Sequence, residues 1–173
     1  VTTEPTVETV PETEVKTETE TAAETETTPE PAPSEPEYIG TIYLTLDDGP
    51  CAEITPKILD ILRKHNVKAT FFCVGDNILK HPELFAQIKA EGHQLGNHTM
   101  HHSKGFYTNT NDYLNEIDEC AALIGNNLFR PPHGLITPRQ NSMLRNKGYK
   151  IIQWDVITYD WDNKHTPKDI LNI

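Results

Sequence analysis

The chain has 173 residues, a formal net charge of −11 and 3 cysteines. Its charge balance has no basic excess for a nucleic-acid backbone, and no run approaches the roughly twenty apolar residues of a membrane span. The cysteines have no close spacing, which excludes a disulfide framework and a Cys-x-x-Cys metal motif.

The acidity is local. Residues 1–37, almost all Thr, Glu, Pro, Val and Ala, hold 11 Glu and 1 Lys, which leaves a net charge of only −1 for the remaining 136 residues. Without aromatics or an apolar period this segment cannot bury enough surface to offset its ordering entropy. It is expected to be a disordered, self-repelling spacer, the alternative being an acidic interaction tail. A Thr/Glu/Pro spacer ahead of a globular domain, with no visible signal peptide, favours an exported protein that opens inside its spacer. Residues 38–173 suit one domain.

Strands and helices then alternate. Thr41–Leu46 reads as a buried strand. Ile54–His65 is helical, started by Thr55-Pro56, with Ile54, Ile58, Ile61 and Leu62 at helix spacing. Lys68–Val74 is a second strand, and Cys73 in it is a core residue. His81-Pro82 opens a helix that stops near Gly92, and His93–His98 is a short third strand. Asn111 or Asp112 caps a helix through Leu114, Ile117 and Leu123, with Cys120 packed inside it. Asn127–Arg130 is a fourth strand, Thr137-Pro138 starts a helix ending near Gly148, Tyr149–Val156 is a fifth strand, and Thr166-Pro167 begins a last helix. Such alternation implies a parallel sheet, closed or doubly wound.

The chemistry sits just after the strands. Asp47 and Asp48 follow the first, His98 the third, Arg130 the fourth and Asp160 the fifth; in a parallel barrel these positions converge on the C-terminal face. One carboxylate with His98 and His102, at i and i+4, makes a three-ligand divalent-metal site with an open position, the pattern of catalytic zinc. The second carboxylate is then free to act as a base, which suggests hydrolysis. Taken alone, Asp47-Asp48-Gly49-Pro50 is also a favourable turn, and Arg130 before Pro131-Pro132 an ordinary surface arginine. Cys51 follows that turn beside the prospective pocket. His101 is a bystander to the i, i+4 pair, and His65, His81, His93 and His165 carry no motif. Trp154 is expected in the core.

From about Ile39 onward the chain resembles the NodB-like polysaccharide deacetylases, the family-four carbohydrate esterases. Four motifs carry the likeness: Thr45-Leu46-Asp47-Asp48-Gly49-Pro50, where the family usually has Phe at the Leu46 position; His98-Thr99-Met100-His101-His102; Phe129-Arg130-Pro131-Pro132-His133-Gly134, where Tyr is commoner at the His133 position; and Asp160-Trp161, preceded by Trp154-Asp155-Val156. A fifth motif, a strand carrying Leu-x-His whose His is the family's general acid, does not follow the Thr166-Pro167 helix. The resemblance therefore implies an α/β fold, a distorted (β/α) barrel truncated at its C-terminal end. It also implies a poorly active chain, a fragment of a longer protein rather than a crippled homologue.

Carried over residue by residue, the resemblance implies that Asp48, His98 and His102 hold the metal and that Asp47 is the base. Arg130 pairs with Asp47, and the His133 backbone N–H, beside Pro132, binds the oxyanion. Asp160 orients the acid and Trp161 walls the sugar groove. The metal expected is Zn²⁺, with Co²⁺ as the alternative. The activity implied is hydrolysis of N-acetyl groups on an N-acetylglucosamine polymer outside the cytoplasm, peptidoglycan or chitin-type. The rivals are an O-acetyl xylan esterase and a catalytically dead carbohydrate-binding homologue. The expected partner is this polysaccharide; the chain is expected to be a monomer, secreted or tethered to a membrane or wall through its spacer.

Overall fold

The structure is a computed structural model and describes residues 40–172. The spacer expected over residues 1–37 lies outside them. Five short strands build the sheet: β1 (Thr45–Asp47), β2 (Thr70–Cys73), β3 (Gln94–Asn97), β4 (Leu128–Phe129) and β5 (Lys150–Ile151). All pair in parallel, in the order β1-β2-β3-β4-β5. Spatial order equals chain order, so the sheet winds in one direction as a barrel does. A doubly wound sheet would reverse its order partway. Between the strands lie α1 (Thr55–Lys64), α2 (Gly75–Lys80), α3 (Pro82–Ala90), α4 (Thr110–Ile124) and α5 (Pro138–Asn146); α6 (Pro167–Ile170) follows β5.

Register decides what each strand face does. Leu46, Phe71 and Leu95 stand abreast across β1, β2 and β3. They pack outward with Leu59 and Leu62 of α1, Ile78 of α2, Ile88 of α3 and Cys120 of α4. A second outward cluster joins Phe129 of β4 to Tyr113, Leu114 and Ile117 of α4 and Leu144 of α5. One residue away in register, Asp47, Phe72 and Gly96 stand abreast on the inner face. A Cβ at Gly96 would overlap the Phe72 ring, so only glycine lets that ring lie across β3.

The inner face is curled. In a flat sheet β1 and β4 would lie about 14 Å apart, three strand spacings. Yet Arg130, just after β4, donates from Nη1 to Thr45 Oγ1 and Asp47 Oδ1, each at 2.8 Å. Its guanidinium also lies 4.2 Å from the centre of the Phe72 ring, a cation–π contact that fills the interior.

Several expected elements differ. The first strand starts at Thr45 rather than Thr41, and Ile42 and Tyr43 ahead of it are exposed. On α1 the buried stripe is Thr55, Leu59 and Leu62, whereas Ile54 and Ile61 face solvent. Helix α2 was not expected. The cap of α4 is Asn109, whose side chain accepts from the Asn111 N–H, rather than Asn111 or Asp112. The fifth strand ends at Ile151, because the Ile152 and Gln153 carbonyls that would extend it accept from Arg130 Nε and Nη2 instead. Thr137 and Thr166 do start helices, each with a full capping box.

Candidate metal centre

The C-terminal ends of β1, β3 and β4 deliver the site. Beyond β1, Asp48 turns into the left-handed region (φ 69°). Its carbonyl accepts from Asn77 Nδ2 of α2 at 2.7 Å. Its Oδ1 then lies 2.9 Å from His102 Nε2 and 3.4 Å from His98 Nε2. Asp48, His98 and His102 offer ligand atoms that all fall within 4.8 Å of one another, the one such group among the described residues. His98 is buried, while the Asp48 side chain is 66% exposed, so the cluster opens to solvent on one side.

Hydrogen bonding fixes what His98 presents. Its Nδ1 lies 2.8 Å from the Arg130 carbonyl. A carbonyl only accepts, so Nδ1 carries the proton, and in the neutral ring Nε2 presents its lone pair. That lone pair faces a carboxylate oxygen, and two acceptors face one another only with a proton or a cation between them. Aspartate with two imidazoles is also the three-ligand set of an open zinc site. The residues therefore fit a divalent cation. Hydrogen bonds from His102, then His98, hold the Asp48 carboxyl well below the usual carboxylate range, and the same contact with Asp48 pushes His102 up. A cation entering here displaces a proton, so its affinity falls as pH falls.

Asp47 stands apart from the cluster. It is tied to Arg130, itself 3% exposed. With bonds to Thr45, Asp47, Ile152 and Gln153, the guanidinium has no freedom to swing. Pro132 and His133 lie in the 3-10 turn Pro132–Gly134. His133 is left-handed (φ 55°), and its ring centre is 4.9 Å from that of His102. Burial pushes the His133 pKa down.

Asp160 and Trp161 are not brought to this group. The Asp160 carboxylate accepts from Thr158 Oγ1 at 3.1 Å on an exposed turn, and Trp161, also exposed, packs on Tyr159. His101 turns away to Asp76 Oδ2 at 2.9 Å. Cys51 is exposed, and Cys73 and Cys120 are buried. Trp154, expected in the core, is half-buried against Gly134, with its ring 5.7 Å from the Arg130 guanidinium.

Helix α2 contributes most of what the sequence hid. The Gly75 and Asp76 N–H groups donate to the Thr99 and Met100 carbonyls, at 3.0 and 2.9 Å, inside the His98–His102 loop. One six-residue helix thus braces both the Asp48 turn and the histidine loop. The available signal was Gly75-Asp76-Asn77 directly after an apolar strand, a helix-start composition.

A parallel α/β barrel with a two-His, one-Asp cluster at its C-terminal mouth is the frame of a metal-site protein. Residues 35–152 match the polysaccharide deacetylase family, and the chain belongs to that family. It is 41% identical over 126 residues to a peptidoglycan-N-acetylglucosamine deacetylase of Bacillus cereus, covering 69% of this chain and 46% of that one. To the peptidoglycan-N-acetylmuramic acid deacetylase PdaA of Bacillus subtilis it is 38% identical over 129 residues, covering 70% and 49%. The chain thus spans about half the length of these curated relatives. Among solved structures, the Bc1960 peptidoglycan N-acetylglucosamine deacetylase superposes with a TM-score of 0.72 at 39% identity, covering 75% of this chain and 63% of that one. The chitin deacetylase of Colletotrichum lindemuthianum gives 0.67 at 28% identity, covering 75% and 61%.

Proposed function

We propose that this protein hydrolyses N-acetyl groups on an N-acetylglucosamine-containing polysaccharide outside the cytoplasm, with peptidoglycan first and chitin-type polymers second. One observation carries this: three ligand atoms converge beside a second carboxylate, Asp47, that is held by a buried arginine instead of joining them. The peptidoglycan and chitin deacetylases among its relatives support the substrate class.

Asp48, His98 and His102 would hold the cation, for which Zn²⁺ is the first choice and Co²⁺ the second. When bound, it supplies Lewis acidity that activates water at neutral pH and polarises the acetyl carbonyl. Asp47 accepts the proton of the attacking water. Arg130, whose Nη1 donates to Asp47 Oδ1 at 2.8 Å, holds that carboxylate oriented. The His133 N–H donates to the developing oxyanion, a contribution of about 3 kcal/mol for a well-aimed donor. Phe106 and Tyr107, exposed on the 3-10 turn that follows the histidine loop, offer apolar faces for sugar rings. The roles that the resemblance implies for Asp160 and Trp161, orienting an acid and walling the groove, would require the exposed turn that carries them to pack toward the cluster. Protonating the leaving amine is a separate step, worth roughly 10²–10⁴ in rate.

Metal content and acetate release test this directly. His98→Ala should remove most divalent metal from purified protein, and acetate should come from N-acetylglucosamine oligomers or peptidoglycan rather than from acetylated xylan. Full metal retention in His98→Ala would refute the ligand set. Acetate from xylan alone would refute the substrate class.

A further inference from the structure

We infer that Glu116 of α4 is a positioning residue for the metal-holding loop, acting through the Ser103 hydroxyl on the adjacent His102. This rests on Asp48, His98 and His102 being a cation site.

The loop from His98 to His102 is strained. Thr99 (φ 67°) and His102 (φ 56°) both lie in the left-handed region, where a β-branched residue such as threonine is a genuine outlier. Such backbone persists only when its surroundings over-determine it. A chain of side-chain bonds does so. Asn97, fully buried, donates from Nδ2 to the Ile117 carbonyl at 2.7 Å and accepts from the Thr99 N–H at 2.8 Å. Thr99 Oγ1 accepts from the Ser103 N–H at 3.2 Å. Ser103 Oγ then donates to Glu116 Oε1 at 2.8 Å. The loop is thereby fastened at both ends to adjacent residues of α4, Ile117 at the His98 end and Glu116 at the His102 end.

Stability alone does not explain a carboxylate in this place. Glu116 Oε2 is shielded from solvent and has no hydrogen-bond partner among the described residues, as is true of the neighbouring Tyr113 hydroxyl. Burial, and then the Glu116 charge, push the Tyr113 pKa up. Shielding a carboxylate beside an unpaired hydroxyl is costly, and an apolar side chain in the same space is often neutral or stabilising. What Glu116 does supply is a strong acceptor that pins Ser103, and with it the left-handed backbone of His102 from which Nε2 is presented. Partners behind ligating side chains typically change metal affinity 10–100-fold.

The test is the dissociation constant of the full chain for Co²⁺, read from its visible absorption, and for Zn²⁺ by chelator competition. Melting of the metal-free protein is measured in parallel. Ser103→Ala and Glu116→Ala should each weaken binding tenfold or more while metal-free melting stays unchanged or rises. Ser103→Thr and Glu116→Gln, which keep the donor and the acceptor, should recover most of the affinity. The Ser103→Ala/Glu116→Ala double variant should be no worse than either single one, because both cut the same link. Asp118→Ala is the control. This residue is on the same helix but pairs with Lys147 and Tyr149, so its loss should lower melting and leave metal affinity alone. Affinities within twofold of wild type in both single alanine variants would overturn the inference, as would equal weakening in Asp118→Ala. If the wild-type chain binds neither metal, the cation site fails and the inference with it. Wild-type binding with indifferent variants removes the inference only.

Discussion

The two faces of the same strands are built by different physics. Outward, Leu46, Phe71, Leu95 and Phe129 meet the helices through non-directional apolar burial. Inward, Asp47, His98 and Arg130 are held by hydrogen bonds and ion pairs of fixed geometry. Of the six non-Gly residues with positive φ among the described residues, four, Asp48, Thr99, His102 and His133, lie around the inner mouth. The outer face can relax around a changed side chain; the inner face has one workable arrangement. A substitution should therefore move stability or chemistry according to the face it strikes.

The largest expected effect is on chemistry. Asp47→Asn should lower turnover by roughly 10²–10⁴, with metal content and melting temperature little changed. The amide keeps the shape but cannot take the proton. If metal leaves together with activity, Asp47 and Asp48 have exchanged roles. On the other face, Leu59 is fully buried in the helix–sheet core. Leu59→Ala should cost about 2–5 kcal/mol in urea unfolding while metal affinity below the transition stays as in wild type. A parallel loss of affinity would mean that the outer core sets the inner geometry.

Gly96→Ala probes the coupling between the faces. The new methyl group would overlap the Phe72 ring, and overpacking of this kind costs about 1–3 kcal/mol. Phe72 lies beneath the Arg130 guanidinium, so the displaced ring should also push Arg130 off Asp47. Both stability and turnover should fall. A stability loss with unchanged turnover would show that Arg130 is anchored by its four other partners without the ring.

The outer face was largely legible because its signal is periodic. Apolar strands separated by capped helices gave the alternation, and Thr-Pro capping signals located α5 and α6. The catalytic candidates were legible because reactive side chains at strand ends have few structural reasons to be there. What stayed hidden depends on contacts distant in sequence. Strand β5 looks longer than it is because its carbonyls go to Arg130. The cap of α4 is ambiguous because Asn109, Thr110, Asn111 and Asp112 are all cap-type residues, and only the backbone φ and ψ choose Asn109. Trp154 reads as core until Gly134 is seen to leave room for its ring beside Arg130. Helix α2 is six residues long with no side-chain cap, too short for a periodic signal.

The smallest effect concerns the opposite end of the strands from the site. His93 precedes β3 and is 7% exposed. Its Nδ1 accepts from the Ala69 N–H at 3.3 Å, and its ring centre lies 5.3 Å from that of Phe71. An accepting Nδ1 leaves the proton of the neutral ring on Nε2, which has no partner among the described residues. Burial, helped by the Lys68 charge and opposed by Glu91, pushes its pKa below the usual 6.5. The folded protein then binds fewer protons than the unfolded chain once the pH drops below 6.5. The contribution of His93 is fully present above that value and is lost as pH falls through the lower folded pKa. Melting in the presence of a chelator, which removes metal from the comparison, should fall between pH 7.5 and 5.5. His93→Asn places an oxygen where Nδ1 was, keeps an acceptor for Ala69 and cannot titrate. It should flatten part of that decline. The Asp48–His102 pair also titrates here, with the opposite sign because the folded pKa of His102 is raised, so the quantity to read is the difference between wild type and His93→Asn. A difference that does not change with pH would place the source of acid sensitivity at the mouth of the barrel instead of its base.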